Sequence, residues 1–146
     1  MPQASKKALA IVVILYAIAW LLPVVDGGTT LAKGGLPGWE AFRVALSPLW
    51  ESGARDTWWE SALSVASGLT NAWFIGAVAV LWRSPTSGRT VTWGSLAATV
   101  LNSHWWLLYQ PRSDLRIGYY IWWISFAAIA GAGIPRSRET AFKVAS

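Results

Sequence analysis

Four long apolar runs, separated by stretches rich in charge, Gly and Pro, set the pattern of this chain. The clearest is Ser61 to Trp82, SALSVASGLTNAWFIGAVAVLW, which carries no formal charge. It is long enough to cross a bilayer's hydrocarbon core, for which about 20 apolar residues suffice. Ala8 to Val25, Thr90 to Tyr109 and Ile117 to Ile134 share this character. The pattern predicts an all-α, polytopic membrane protein: a single transmembrane domain over residues 1–146, with four transmembrane helices at 8–25, 61–82, 90–109 and 117–134. The basic lead MPQASKK before the first run also has the grammar of a cleaved signal peptide. The run is longer than a usual h-region and no small-x-small site follows closely, so an uncleaved anchor is expected.

Between the first two runs lies the one long loop, residues 26–60, opened by Asp26-Gly27-Gly28 and broken again at Gly34-Gly35 and Pro37-Gly38. Inside it, WEAFRVALSPLW places Trp39, Phe42, Leu46 and either Leu49 or Trp50 on one face of a short helix, with Glu40 and Arg43 off that face. This amphipathic interfacial helix should lie flat on the membrane surface or cap the bundle. Pro48 should stop or bend it. Trp58-Trp59 reads as an interfacial anchor at the mouth of the second span.

Small residues recur within the runs. Ser64, Gly68, Ala72 and Gly76 fall four apart, stacking small side chains along one helical face where another helix backbone can approach closely. Gly94 and Ala98 repeat the spacing in the third run, and Asn102 continues it. These stripes are the expected helix-packing seams.

Composition agrees with the pattern. Hydrophobic residues make up 54% of the chain and charged residues 13%, against about 25% in a soluble domain. Cysteine is absent, which excludes disulfides, thiolate ligands and a Cys nucleophile. The net charge of +5 comes from basic residues flanking apolar runs, where they meet anionic headgroups and set orientation; no nucleic-acid partner is expected. With both termini cytoplasmic, Lys6, Lys7, Arg83, Arg89, Arg136, Arg138 and Lys143 lie inside, against Lys33, Arg43, Arg55, Arg112 and Arg116 outside. The excess favours that orientation.

Ionisable or strongly hydrogen-bonding groups within hydrocarbon are the candidate functional residues, because each needs a partner to offset lost hydration. Asn71 lies mid-way along the second span, one position off the small stripe, and is expected to bridge helices. Asn102 should point into the bundle. His104, turned about 200 degrees away by the 3.6-residue repeat, should sit among aromatic anchors near the outer interface. A sharper reading makes His104 the axial ligand of a tetrapyrrole, chlorophyll or haem, since a neutral imidazole can hold its metal from one side. Hydrolytic chemistry finds no support: Ser103 and His104 are adjacent on a helix and diverge, and no G-x-S-x-G elbow is present. All seven acids lie in loops, span ends or the tail, which leaves no acidic proton path.

Pro23 closing the first span, Gly38-Trp39-Glu40-Ala41-Phe42 in the outer loop, Asn71 with Trp73, and Gly118-Tyr119-Tyr120-Ile121-Trp122 together resemble a group of small bacterial four-span membrane proteins without an assigned biochemical function. The resemblance implies the four-helix architecture and a bacterial inner-membrane location, and no reaction. Where that group reads Asn-Pro this chain has Asn71-Ala72, so the helix break such a proline imposes is not implied here.

The resulting expectation is a non-enzymatic accessory or interaction subunit of a bacterial inner-membrane complex, without a cofactor. Twelve Trp and the small-residue seams supply contact surface for a membrane-protein partner or a second copy. The alternatives are the tetrapyrrole-binding subunit and, further off, a small transporter or channel component.

Overall fold

The computed structural model describes residues 3–26, 35–50, 57–83, 88–108 and 115–144. They are mostly helical, as the all-α reading expects. Helix α1 spans Gln3–Leu21, followed by strand β1 (Pro23–Val25), strand β2 (Leu36–Pro37) and helix α2 (Gly38–Leu46), which ends in the 3₁₀ turn Ser47–Leu49. Helix α3 spans Trp58–Arg83, α4 Gly88–Asn102, α5 His104–Leu108 and α6 Ile117–Val144. The expected turn at Gly27-Gly28, the basic connection from Ser84 to Ser87 and the helix end at Pro111 lie outside the described residues.

The boundaries have local causes. α1 stops at Leu21 rather than reaching residue 25, because Pro23 disfavours a helical Leu22 and the β-branched Val24-Val25 continue extended. β1 pairs antiparallel with β2, and Val25 forms a further bridge to Leu115. The third expected span, 90–109, is divided: α4 ends at Asn102, where the Ser103 hydroxyl bonds back to the Thr99 carbonyl at 2.9 Å, and α5 resumes at His104. α6 runs past Pro135, where the sequence pattern ended the fourth span and began a polar tail. α3 is unbroken through Asn71-Ala72.

The long helices pack as an antiparallel bundle. α6 lies against both α1 and α4, and α4 lies against α3. α1 and α3 meet chiefly through Tyr16 and Phe74, whose rings stack with centroids 3.8 Å apart, while Phe126 of α6 packs edge-on to Phe74 at 5.3 Å. At one end Lys6 sits 5.9 Å above the Trp82 ring, which places the start of α1 beside the finish of α3. At the other end Arg116 pairs with Asp26, and its backbone N–H donates to the Val24 carbonyl at 2.9 Å. The two loop regions expected on the outer side therefore meet at the same end of the bundle.

Exposed apolar surface and buried polar groups occur together in this bundle. Large apolar side chains stand outward on each long helix: Ile11, Ile14 and Ile18 on α1, Leu69 and Ile75 on α3, Trp93 and Val100 on α4, Ile117 and Ile124 on α6. Inside, beside apolar core residues such as Leu81 and Ile129, lie Ser64, Ser67, Thr70, Asn71, Ser95, Thr99, Asn102 and Ser125. Among the described residues one helix, Trp58–Arg83, is long and apolar enough to cross a membrane, and Ile117–Ala132 is apolar but shorter. α1 lies toward the N-terminus of the first expected span, ending at Leu21, and the break at Ser103 divides the third.

Candidate functional site

The polar interior is built on α3. Its i, i+4 spacing puts Ser64 and Gly68 on one line and Ser67 and Asn71 on the next. The Asn71 carboxamide joins three helices: its Oδ1 accepts from Tyr16 Oη of α1 at 2.7 Å and from Trp122 Nε1 of α6 at 2.9 Å, and its Nδ2 donates to the Gly68 carbonyl at 2.9 Å. The orientation of the amide is unambiguous, since an indole N–H only donates and a carbonyl only accepts. One turn nearer the loops, the Ser67 hydroxyl donates to Asn102 Oδ1 at 2.8 Å and accepts from Trp105 Nε1 at 3.0 Å, while Asn102 Nδ2 donates to Thr70 Oγ1 at 3.1 Å.

A second set of bonds closes the open end of α4. The last carbonyls of a helix have no intrahelical partner. Here Tyr119 Oη donates to the Asn102 carbonyl at 2.8 Å and His104 Nδ1 to that of Leu101 at 2.6 Å, while the Thr99 carbonyl, which keeps the Ser103 N–H at 3.1 Å, also accepts from Trp123 Nε1 at 3.1 Å. Because a carbonyl only accepts, the His104 hydrogen sits on Nδ1. His104 is thus a buried residue engaged at the helix break, with its ring 4.5 Å from that of Trp105. It does not line the cavity described next.

Over this polar floor lies a cavity of about 100 Å³ at the loop end of the bundle. Trp20, Val24, Leu36, Phe42 and Leu115 supply apolar wall and roof; Ser67, Asn71, Trp105, Tyr119 and Trp122 supply the hydrogen-bonding side. α2 covers it. The N-terminus of α2 sits so close to α1 that a Cβ on Gly38 would lie 2.5 Å from the Ala19 carbonyl oxygen, and Phe42 packs against Trp20 with ring centroids 5.2 Å apart.

The expected seams are placed as follows. Ser64 and Gly68 form a seam whose occupant is α2, not a long helix: Ser64 Oγ donates to the Ala45 carbonyl at 3.0 Å, and a Cβ on Gly68 would meet Leu46 Cδ2 at 2.6 Å. Ala72 and Gly76, further along the stripe, are exposed, with open space before Gly76. Gly94 lies directly under the indole of Trp73, which donates to Ser95 Oγ at 3.2 Å, and Ala98 is buried in the core. The interfacial stripe is divided as well. Phe42 and Leu46 turn into the protein, whereas Trp39 and Trp50 are exposed; Trp50 leaves the helical line because α2 gives way at Ser47 to a tighter turn around Pro48.

Sequence reasoning singled out Asn71 and Asn102 but missed their partners Tyr16, Ser67, Tyr119 and Trp122. A signal was present: Tyr16 is the lone hydroxyl in the first apolar run, and Tyr119 and Trp122 share a helical face at i, i+3. Among the described residues there is no group of three or more His, Asp or Glu able to hold a metal ion. No family model, curated protein or solved structure matches the chain.

Proposed function

We propose that this chain is a four-span protein of a bacterial inner membrane, with both termini cytoplasmic, that acts by contact as a non-enzymatic accessory subunit. The membrane reading is supported by burial: apolar side chains stand outward on all four long helices while hydroxyls and amides lie inside, the arrangement suited to lipid rather than water. α4 with α5 and the Ser103 break together make up the third crossing, and the polar side chains at that break satisfy the carbonyls it frees.

The contact reading rests on one observation. The small-residue stripe of α3 is covered by α2 at Ser64 and Gly68 and left open at Ala72 and Gly76. A partner's transmembrane helix seated there would approach the α3 backbone closely, between the outward-facing Leu69, Ile75 and Val80. Most of the buried polar groups, by contrast, bond to one another and to backbone, which is how structural rather than reactive groups behave.

Substitution Gly76→Leu tests this. Fold and thermal stability should be unchanged, because nothing lies within 4 Å of the added Cβ. Affinity purification from native membranes in mild detergent should recover a stoichiometric partner with the native chain and lose it with the variant. Recovery of the same partner by both would remove Gly76 from the interface; recovery of a second copy of this chain alone would replace the accessory reading with a homo-oligomer.

A further inference from the structure

The cavity beneath α2 has a chemistry that narrows what can occupy it. At about 100 Å³ it has room for several heavy atoms, since one water needs about 10–15 Å³ of such space. This is the scale of one ring or two fused rings and excludes a macrocycle. Among the described residues no Lys, Arg, His, Asp or Glu lines it, so an anion or an amine entering would lose its hydration without gaining a counter-charge from that lining. The described lining therefore suits an uncharged occupant.

Its polar requirement is set by Asn71. Both donors facing Oδ1, from Tyr16 and Trp122, are engaged, and Nδ2 uses one hydrogen on the Gly68 carbonyl. The second Nδ2 hydrogen of this buried side chain meets no acceptor among the described residues, and Asn71 lines the cavity. A buried amide hydrogen without an acceptor is unfavourable, and an oxygen placed there would relieve it. Around it stand Trp20, Phe42, Trp105, Tyr119 and Trp122, faces and edges suited to a flat ring.

We propose that this cavity binds an uncharged ring carbonyl compound, of the class of a quinone head group, with one carbonyl oxygen accepting from Asn71 Nδ2. No electron transfer is implied. The site is independent of whether a partner helix docks at Gly76.

The test uses the full chain in lipid nanodiscs, with empty nanodiscs as the blank, and follows 2-methyl-1,4-naphthoquinone by calorimetry and by quenching of indole emission. Saturable 1:1 binding is expected, weakened by roughly three- to tenfold for 2-methylnaphthalene, the factor one ordinary hydrogen bond carries. Ala41→Phe fills the cavity from α2 and should abolish binding while helix content is retained; Leu36→Phe, filling it from β2, is the second variant should the first fail to fold. Equal binding of the naphthalene, or binding unaffected by a folded cavity-filling variant, would overturn the proposal, as would non-saturable uptake. A phytyl chain at position 3 of the same ring distinguishes the source. Tighter binding with the chain indicates a ligand taken from the bilayer, and weaker binding indicates one taken from water; either supports recognition of the ring carbonyl.

Discussion

Asn71 and Trp122 lie 51 positions apart in the chain and 2.9 Å apart in the fold, where the indole N–H of α6 donates to the amide oxygen of α3. The same oxygen accepts from Tyr16, so α1, α3 and α6 converge on one side chain. If the bundle lies in lipid as proposed, hydrophobic burial does not by itself hold helix to helix, and shared polar contacts and close packing set the arrangement.

Replacing Asn71 by Leu leaves two buried donors without an acceptor and should lower stability by about 1–3 kcal/mol. Tyr16→Phe removes one donor cleanly and should lower it by only about 0.6 kcal/mol. Unfolding titrations in mixed micelles check both, and a double-mutant cycle with Trp122→Phe should show non-additivity, because the two donors share one acceptor.

Gly94 is required by the ring above it. A methyl group there would overlap the Trp73 indole, so Gly94→Ala should destabilise by about 1–3 kcal/mol through overpacking. Adding Trp73→Leu should recover part of that loss, less the hydrogen bond to Ser95. Thermal unfolding of the single and double variants measures the rescue.

Arg116 and Asp26 tie the two loop regions at one end of the bundle, but both are partly exposed. Asp26→Asn should therefore lower stability by no more than about 1 kcal/mol, and by less in high salt. The exchanged pair Asp26→Arg with Arg116→Asp should restore most of the loss, which a salt series of melting curves would reveal.

Orientation is accessible because the chain has no cysteine of its own. Leu49→Cys, at the loop end, should react with a membrane-impermeant maleimide in intact spheroplasts, whereas Lys7→Cys should react only after permeabilisation. The opposite pattern would invert the topology, and equal labelling of both would overturn the membrane reading.

The presence of the long helices was legible in the chain, since long apolar runs are rare by chance, but their ends were less so: α1 stops at Leu21 before Pro23, and α6 runs on from Ile134 to Val144. The break at Ser103 was not, because it depends on side chains of residues 99–123 meeting carbonyls that become available only once α6 is in place. The candidate site was half legible. A polar residue in an apolar run stands out, so Asn71 and Asn102 were found; nothing in the chain says which distant hydroxyl or indole will meet them.

By itself the sequence determined the helical class, the chemistry excluded by the missing cysteines, and which polar groups, Asn71 and Asn102, stand within apolar runs, because each follows from local composition and periodicity. Only the tertiary structure decided that α2 rather than a long helix fills the Ser64–Gly68 seam, that Gly76 stays open, and that a cavity forms above Asn71 whose described lining is uncharged. Those depend on which surfaces meet after the chain has turned back on itself, and a small-residue stripe is equally ready to receive any partner that can approach it closely.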